Sequence, residues 1–213
     1  GEFFKNKILL QAIEHAQKNN SALNLAGILA QGNVHASLNH LLALIKMAKE
    51  NGLSKINLHL FSDGKDSPQK SILTLLEKIP FDDNVQLASL SGRYYAMDRD
   101  KHWDRTEICY NALMGRATVM NNVKIFINEH YQKELNDEYI QPVVIGSTEN
   151  SIKDNDSIIF FNFREDSMRQ LTECFVNSKF QNFKIIPLKN IFVATMTNYF
   201  DNLETPIAFP LEK

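Results

Sequence analysis

The chain has 213 residues, 44% of them hydrophobic and 23% charged, with a formal net charge of −2 and a mean hydropathy of −0.28. That length supports one large or two small domains with a buried core. The near-neutral balance excludes the basic surplus that nucleic-acid or membrane-surface partners usually need, so any anion site must be a local cluster. The two cysteines, Cys109 and Cys174, sit in apolar, helix-like settings and read as buried thiols in a reducing compartment rather than a disulfide. No basic-then-apolar leader and no apolar run of spanning length is found, so a cytoplasmic chain is expected.

In chain order, Phe4, Ile8, Ala12 and Ala16 form an i, i+4 stripe that predicts a first amphipathic helix. Residues 22–29 predict a buried strand. Leu38, Leu41, Leu42, Ile45 and Ala48 predict a second helix, closed by Gly52 as a C-cap. Residues 55–61 alternate as a strand. The turn cluster SDGKDSP and a helix through Leu73, Leu75, Leu76 and Ile79 follow. Residues 85–90 predict a third strand. Beyond it come a helix from about Asp100 and another over residues 119–131. Strands are expected at QPVVI and at DSIIFFNF, whose continuous apolar run suits a strand covered on both faces. REDSMRQLTECF predicts a helix, NIFVATMT a last strand, and PIAFPLEK an extended tail. This alternation predicts an α/β fold over residues 1–213: a single-domain, three-layer α/β/α sandwich with a mostly parallel, mixed central sheet.

In such sheets ligands gather beyond the carboxyl ends of the strands. Four βα loops there offer a cation or a histidine: QGNVH with His35, SDGKD with Lys65 and Asp66, SGRYYAMDR with Arg93, Asp98 and Arg99, and the loop with Arg164 and Asp166. Arginine forks match carboxylate and phosphate oxygens, and helix N-termini add positive potential. The pattern predicts a cradle for a small phosphorylated or carboxylated molecule. Against this, a single arginine is more often a weak surface ion pair. His59 reads as a hydrogen-bonded strand histidine, and Tyr94, Tyr95 and Trp103 as packing. The six histidines show no metal spacing. P-loop, dinucleotide and nucleophile-elbow motifs are missing. These residues bind an anion without an evident catalytic engine.

SGRYYAMDRDKHWDR, GNVHASLNHLLALIKMAKENGL, LHLFSDGKDSP, DSIIFFNFREDSMRQLT and IFVATMTNYFD with PIAFP resemble, in order and over essentially the whole chain, the 2,3-bisphosphoglycerate-independent phosphoglycerate mutases. That resemblance implies a two-domain isomerase of glycolysis that interconverts 3-phosphoglycerate and 2-phosphoglycerate. A phosphatase-like domain of the alkaline phosphatase superfamily carries a serine nucleophile and two divalent ions, usually manganese. A second domain, inserted in the first, holds the substrate, and this chain resembles it.

The resemblance implies that His35 contacts substrate and that Asp66, the catalytic residue expected here, moves protons on the glycerate hydroxyls. It implies that Lys65, Arg93, Arg99 and Arg164 hold its carboxylate and phosphate. It implies no metal or other cofactor in this chain, which alone is expected to be inactive. Its implied partners are the two phosphoglycerates and the phosphatase-like domain of the same polypeptide; no nucleic acid or membrane is expected, and a monomer is. The ends GEFF and PLEK fit an excised domain, with Gly1 as a tag remnant. Lys65 and Ser167 stand where the family usually has arginine, Asn33 where it has glycine and Ser37 where it has histidine. Arg169 is near enough in sequence to compensate for Ser167. The alternatives are a non-catalytic anion-binding module and a divergent mutase-like phosphatase.

Overall fold

The computed structural model describes residues 2–210. Gly1 and the last three positions of the tail lie outside the described residues. A 3-10 turn over Glu2–Lys5 precedes helix α1, Lys7–Lys18. Phe4 therefore lies before the helix, which starts where the Asn6 side chain accepts from the amides of Ile8 and Leu9 at 3.0 and 3.1 Å. Strand β1 is Leu23–Leu29, helix α2 Leu38–Glu50 and strand β2 Ile56–Ser62. Gly52, past the end of α2, adopts φ +79°, as a helix-terminating glycine does. Helix α3 is a short Ile72–Leu76, and strand β3 runs Val85–Gly92. Then come helix α4, Arg93–Ala96, helix α5, Trp103–Leu113, and strand β4, Val119–Met120. Helix α6 is Val123–Gln132, strand β5 Val143–Ile145 and strand β6 Ser157–Phe160. Helix α7, Arg169–Val176, and strand β7, Phe192–Thr195, complete the chain.

The seven strands form one sheet in the order β4-β5-β3-β2-β1-β6-β7, parallel except where β5 runs against β3. Every residue of β1 and β2 is buried, so both faces of the sheet are covered. Helix α1 packs on β1, β6 and β7, while α5 packs on β3, β5 and α7. The architecture is the expected α/β sandwich.

Two further expectations change. Val119 and Met120 are an edge strand on β5, not the start of a helix. The helix begins at Asn122, whose side chain accepts from the Ile125 amide at 3.1 Å. The stretch after β3, expected as a loop, opens with a helical turn that Arg93 starts directly on the strand end. That junction requires glycine: a Cβ on Gly92 would lie 2.3 Å from the Glu138 carbonyl oxygen.

Candidate functional site

β2 and β3 lie on one side of β1, and β6 on the other. The loops after β1 and β6 therefore flank the point where the strand order reverses, the usual crevice of an open α/β sheet. They are tied together there: the amides of Phe163 and Arg164 donate to the His35 carbonyl at 2.8 and 3.3 Å. A cleft of about 430 Å³ opens at this edge, and all six expected residues line it: His35, Lys65, Asp66, Arg93, Arg99 and Arg164.

Arg93 is the hub. One guanidinium nitrogen donates to Asp63 Oδ1 and Asp66 Oδ2, both at 2.6 Å. The other lies 3.0 Å from His35 Nε2. Arginine has only protons to give, so His35 Nε2 accepts, and the neutral ring carries its proton on Nδ1, facing Ser167 Oγ at 3.4 Å. Burial, then the Arg93 charge, pushes the His35 pKa below its ordinary value, in keeping with that neutral form. The Arg93 hydrogen bond holds the Asp66 carboxyl below the usual range despite partial burial. Burial works against the Arg93 charge, but its bonds to Asp66 and Asp63 prevail and raise its pKa.

Asp63 joins the site without a motif to mark it. Its Oδ1 also accepts from the amides of Lys65 and Asp66, at 3.3 and 3.1 Å. Its Oδ2 is buried without a hydrogen-bond partner among the described residues. The only sequence signal is an aspartate at the head of a turn cluster, a common Asx-turn position. Nothing local tells that it receives an arginine 30 residues on.

The rest of the cleft is also ion-paired. Arg99 donates to Asp166 Oδ2 at 2.5 Å. Arg164 reaches the same carboxylate, with Nε 3.3 Å from Oδ1. Burial disfavours an ionised Asp166, but the Arg99 bond, the Ser167 amide and the nearby charges outweigh it and lower its pKa. Lys65 Nζ lies 3.8 Å from Glu138. The Arg105 guanidinium stacks 4.0 Å from the Tyr94 ring centre. Tyr94 packs on Tyr95 and Tyr139, and Trp103 on Phe180, as bracing residues should. The compensation of Ser167 expected from Arg169 is not seen: Arg169 donates to the Tyr199 carbonyl at 2.9 Å, pairs with Glu165, and lines a different hollow.

Asp98, Asp100 and His102 each bring a ligand atom within 4.8 Å of the others. Asp98, however, already accepts from the amides of Asp100 and His102, from His102 Nδ1, from Arg105 and from Gln170. Burial favours its neutral form, but these bonds prevail and lower its pKa. A divalent ion would have to displace an arginine, so this carboxylate fits its present task, fixing the Arg99 loop to α7, better than it fits a metal.

The class is therefore an α/β domain with an arginine-lined cleft at its strand-order reversal. The chain matches, over residues 1–201, the family model described as the BPG-independent PGAM N-terminus. It belongs to that family of phosphoglycerate mutase domains. It is 44% identical to a 2,3-bisphosphoglycerate-independent phosphoglycerate mutase 1 of Methanosarcina barkeri, over 100% of this chain and 43% of that protein. A 2,3-bisphosphoglycerate-independent phosphoglycerate mutase of Staphylococcus haemolyticus is 41% identical over 98% of this chain and 42% of its own length. A crystal structure of Leishmania mexicana phosphoglycerate mutase at low cobalt concentration superposes with a TM-score of 0.84, at 26% identity, over 93% of this chain and 39% of that one. The chain thus spans less than half the length of the curated relatives it matches. Among the described residues no helix is long and apolar enough to cross a membrane.

Proposed function

We propose that this chain is the substrate-binding domain of a 2,3-bisphosphoglycerate-independent phosphoglycerate mutase, and that its cleft holds 3-phosphoglycerate and 2-phosphoglycerate. The observation that carries this reading is the convergence of His35, Lys65, Asp66, Arg93, Arg99 and Arg164 on one cleft in a chain of that family. In this reading Arg93, Arg99 and Arg164 hold the glycerate carboxylate and phosphate by charge-assisted bonds, keeping the glycerate bound while its phosphoryl group is elsewhere. His35 contacts the substrate from the cleft wall, its neutral ring accepting from Arg93 at Nε2 and so orienting that guanidinium. Asp66, kept ionised by Arg93, accepts a hydroxyl proton and returns it, and Arg93 sets its basicity.

The phosphoryl-carrying serine and the two divalent ions, manganese in this reading, belong to a phosphatase-like part of the same polypeptide. The chain acts in the cytoplasm as a monomeric unit. Titrating 3-phosphoglycerate into the chain while following backbone amide shifts by NMR tests the binding half. Saturable shifts confined to the four loops are expected, and no shift at tens of millimolar ligand would overturn it. The catalytic half is tested in the full-length protein, where 3-phosphoglycerate should turn over with manganese and fail to do so once Asp66→Ala is introduced.

A further inference from the structure

The cleft is not a bare cationic hollow, since each arginine at its centre already faces a carboxylate of the chain. Two arrangements differ in kind. Arg93 is 13% exposed and bonded to Asp63, whose side chain is fully buried. That pairing is part of the frame, because breaking it would strand a buried charge. Arg99 and Arg164 are 53% and 46% exposed, and both turn to the single carboxylate of Asp166, itself 28% exposed. Among the described residues neither arginine has another acidic partner within ion-pair distance. Asp166 also accepts from the amide of Ser167 at 2.8 Å. If the arginines turned away, it would keep that bond and meet water. Exchange is therefore inexpensive here and costly at Arg93.

We propose that Asp166 is the internal counter-ion of the cleft: its carboxylate holds Arg99 and Arg164 together in the ligand-free chain and is displaced when an anionic ligand takes those guanidinium faces. Asp166 is a positioning residue that competes with the ligand, setting affinity by exchange of one carboxylate for another anion. The inference rests on the phosphoglycerate reading only for the identity of the natural ligand.

The test is calorimetric titration of the chain and its variants with 3-phosphoglycerate and, separately, with sulfate as a plain dianion. Asp166→Asn should bind both about threefold more tightly, the size expected when an exposed ion pair no longer competes. Asp166→Glu, which keeps the charge, should bind like the parent. Asp100→Asn removes a carboxylate that also lines the cleft but is not paired with an arginine among the described residues, and should gain much less. Asp166→Ser serves as a second charge-removing variant, with the thermal midpoint checked for each. Weaker binding by Asp166→Asn would overturn the proposal, because Asp166 would then be ordering the arginines for the ligand. Equal gains in the Asp166 and Asp100 variants would also overturn it, leaving only net charge. A gain for sulfate with no 3-phosphoglycerate bound by any variant would uphold the counter-ion and end the phosphoglycerate reading instead.

Discussion

Two polar clusters are built around histidines, one in the loop after β1 and one on β2, and they behave oppositely. At the carboxyl edge, His35 sits among arginines and carboxylates whose partners face an open cleft. Inside the sheet, His59 is fully buried, with Nδ1 2.8 Å from Ser89 Oγ and Nε2 3.1 Å from Asn24 Oδ1. Asn24 passes the network on to Asp156 Oδ2 at 2.9 Å, which also takes the Lys153 amide, while Asp156 Oδ1 takes the Ala22 amide. Each of these bonds joins two groups of the chain, and His59, Asn24, Ser89 and Asp156 are all buried. A closed network of this kind specifies register and costs stability when broken. The outer ion pairs of the cleft, Arg99 and Arg164 with Asp166, instead meet water, the three side chains being 53%, 46% and 28% exposed. Polar residues alone do not mark a site; polar residues whose partners can be exchanged do.

The largest effect expected from this contrast lies in the closed cluster. Asp156→Ala leaves the Ala22 and Lys153 amides and the Asn24 amide group without their acceptor, so unfolding free energy should fall by about 3 kcal/mol or more. Chemical denaturation measures it, and 3-phosphoglycerate affinity of the folded chain should stay within about twofold. A variant as stable as the parent would break the distinction. Arg164→Ala should do the reverse. Removing one charge-assisted contact costs about 1.5–3 kcal/mol of binding, at least tenfold in Kd, with stability within about 0.5 kcal/mol because the side chain is half exposed. Loss of stability with unchanged affinity would place Arg164 in the frame rather than in the ligand's reach.

The sequence made the open cluster more legible than the closed one, for a physical reason. Alternating strands and helices imply parallel neighbours, and parallel neighbours bring their following loops to one edge. His35, Asp66, Arg93, Arg99 and Arg164 could therefore be grouped without any knowledge of contacts. Asp63, Gln170 and Asp137 could not, because their roles are set by distant partners. Asp137 is buried and accepts from the amides of Ser71 and Ile72, at 2.7 and 2.9 Å, so it caps α3 from another part of the chain. Burial raises its pKa in spite of those bonds. The pairing of His59 with Ser89 likewise depends on a bulge between β2 and β3, where the register shifts after Leu58. Periodicity does not encode it. Val119 and Met120 of two-residue β4 also fit the apolar stripe of the helix that follows, so periodicity extends that helix over them.

The histidines offer a pH-dependent test. Burial lowers the His59 pKa from 6.5 to about 3. Between those values the unfolded chain binds a proton at this residue that the folded chain refuses, so stability falls as pH drops below 6.5 and is unaffected by this residue above it. At pH 5.5 the loss is about 1.4 kcal/mol for one such group. Subtracting the pH profile of His59→Gln from that of the parent isolates it from the carboxylates. Parallel profiles between pH 7 and 5 would mean that His59 is not sealed from protons.

The smallest effect tests how far the cleft follows its family. The Lys65 side chain is 64% exposed and its Nζ lies 3.8 Å from Glu138, so its present charge is loosely held and well hydrated. A guanidinium here would offer two parallel donors where the ammonium offers a point charge. Lys65→Arg should therefore tighten 3-phosphoglycerate binding by about twofold, the scale of an exposed ion pair, and leave the thermal midpoint unchanged. A much larger gain, tenfold or more, would mean that this position contacts the ligand as closely as Arg93 does, and that lysine here tunes affinity downward. No gain would put Lys65 on the rim with Glu138 as its working partner, leaving Arg93, Arg99 and Arg164 to hold the anion.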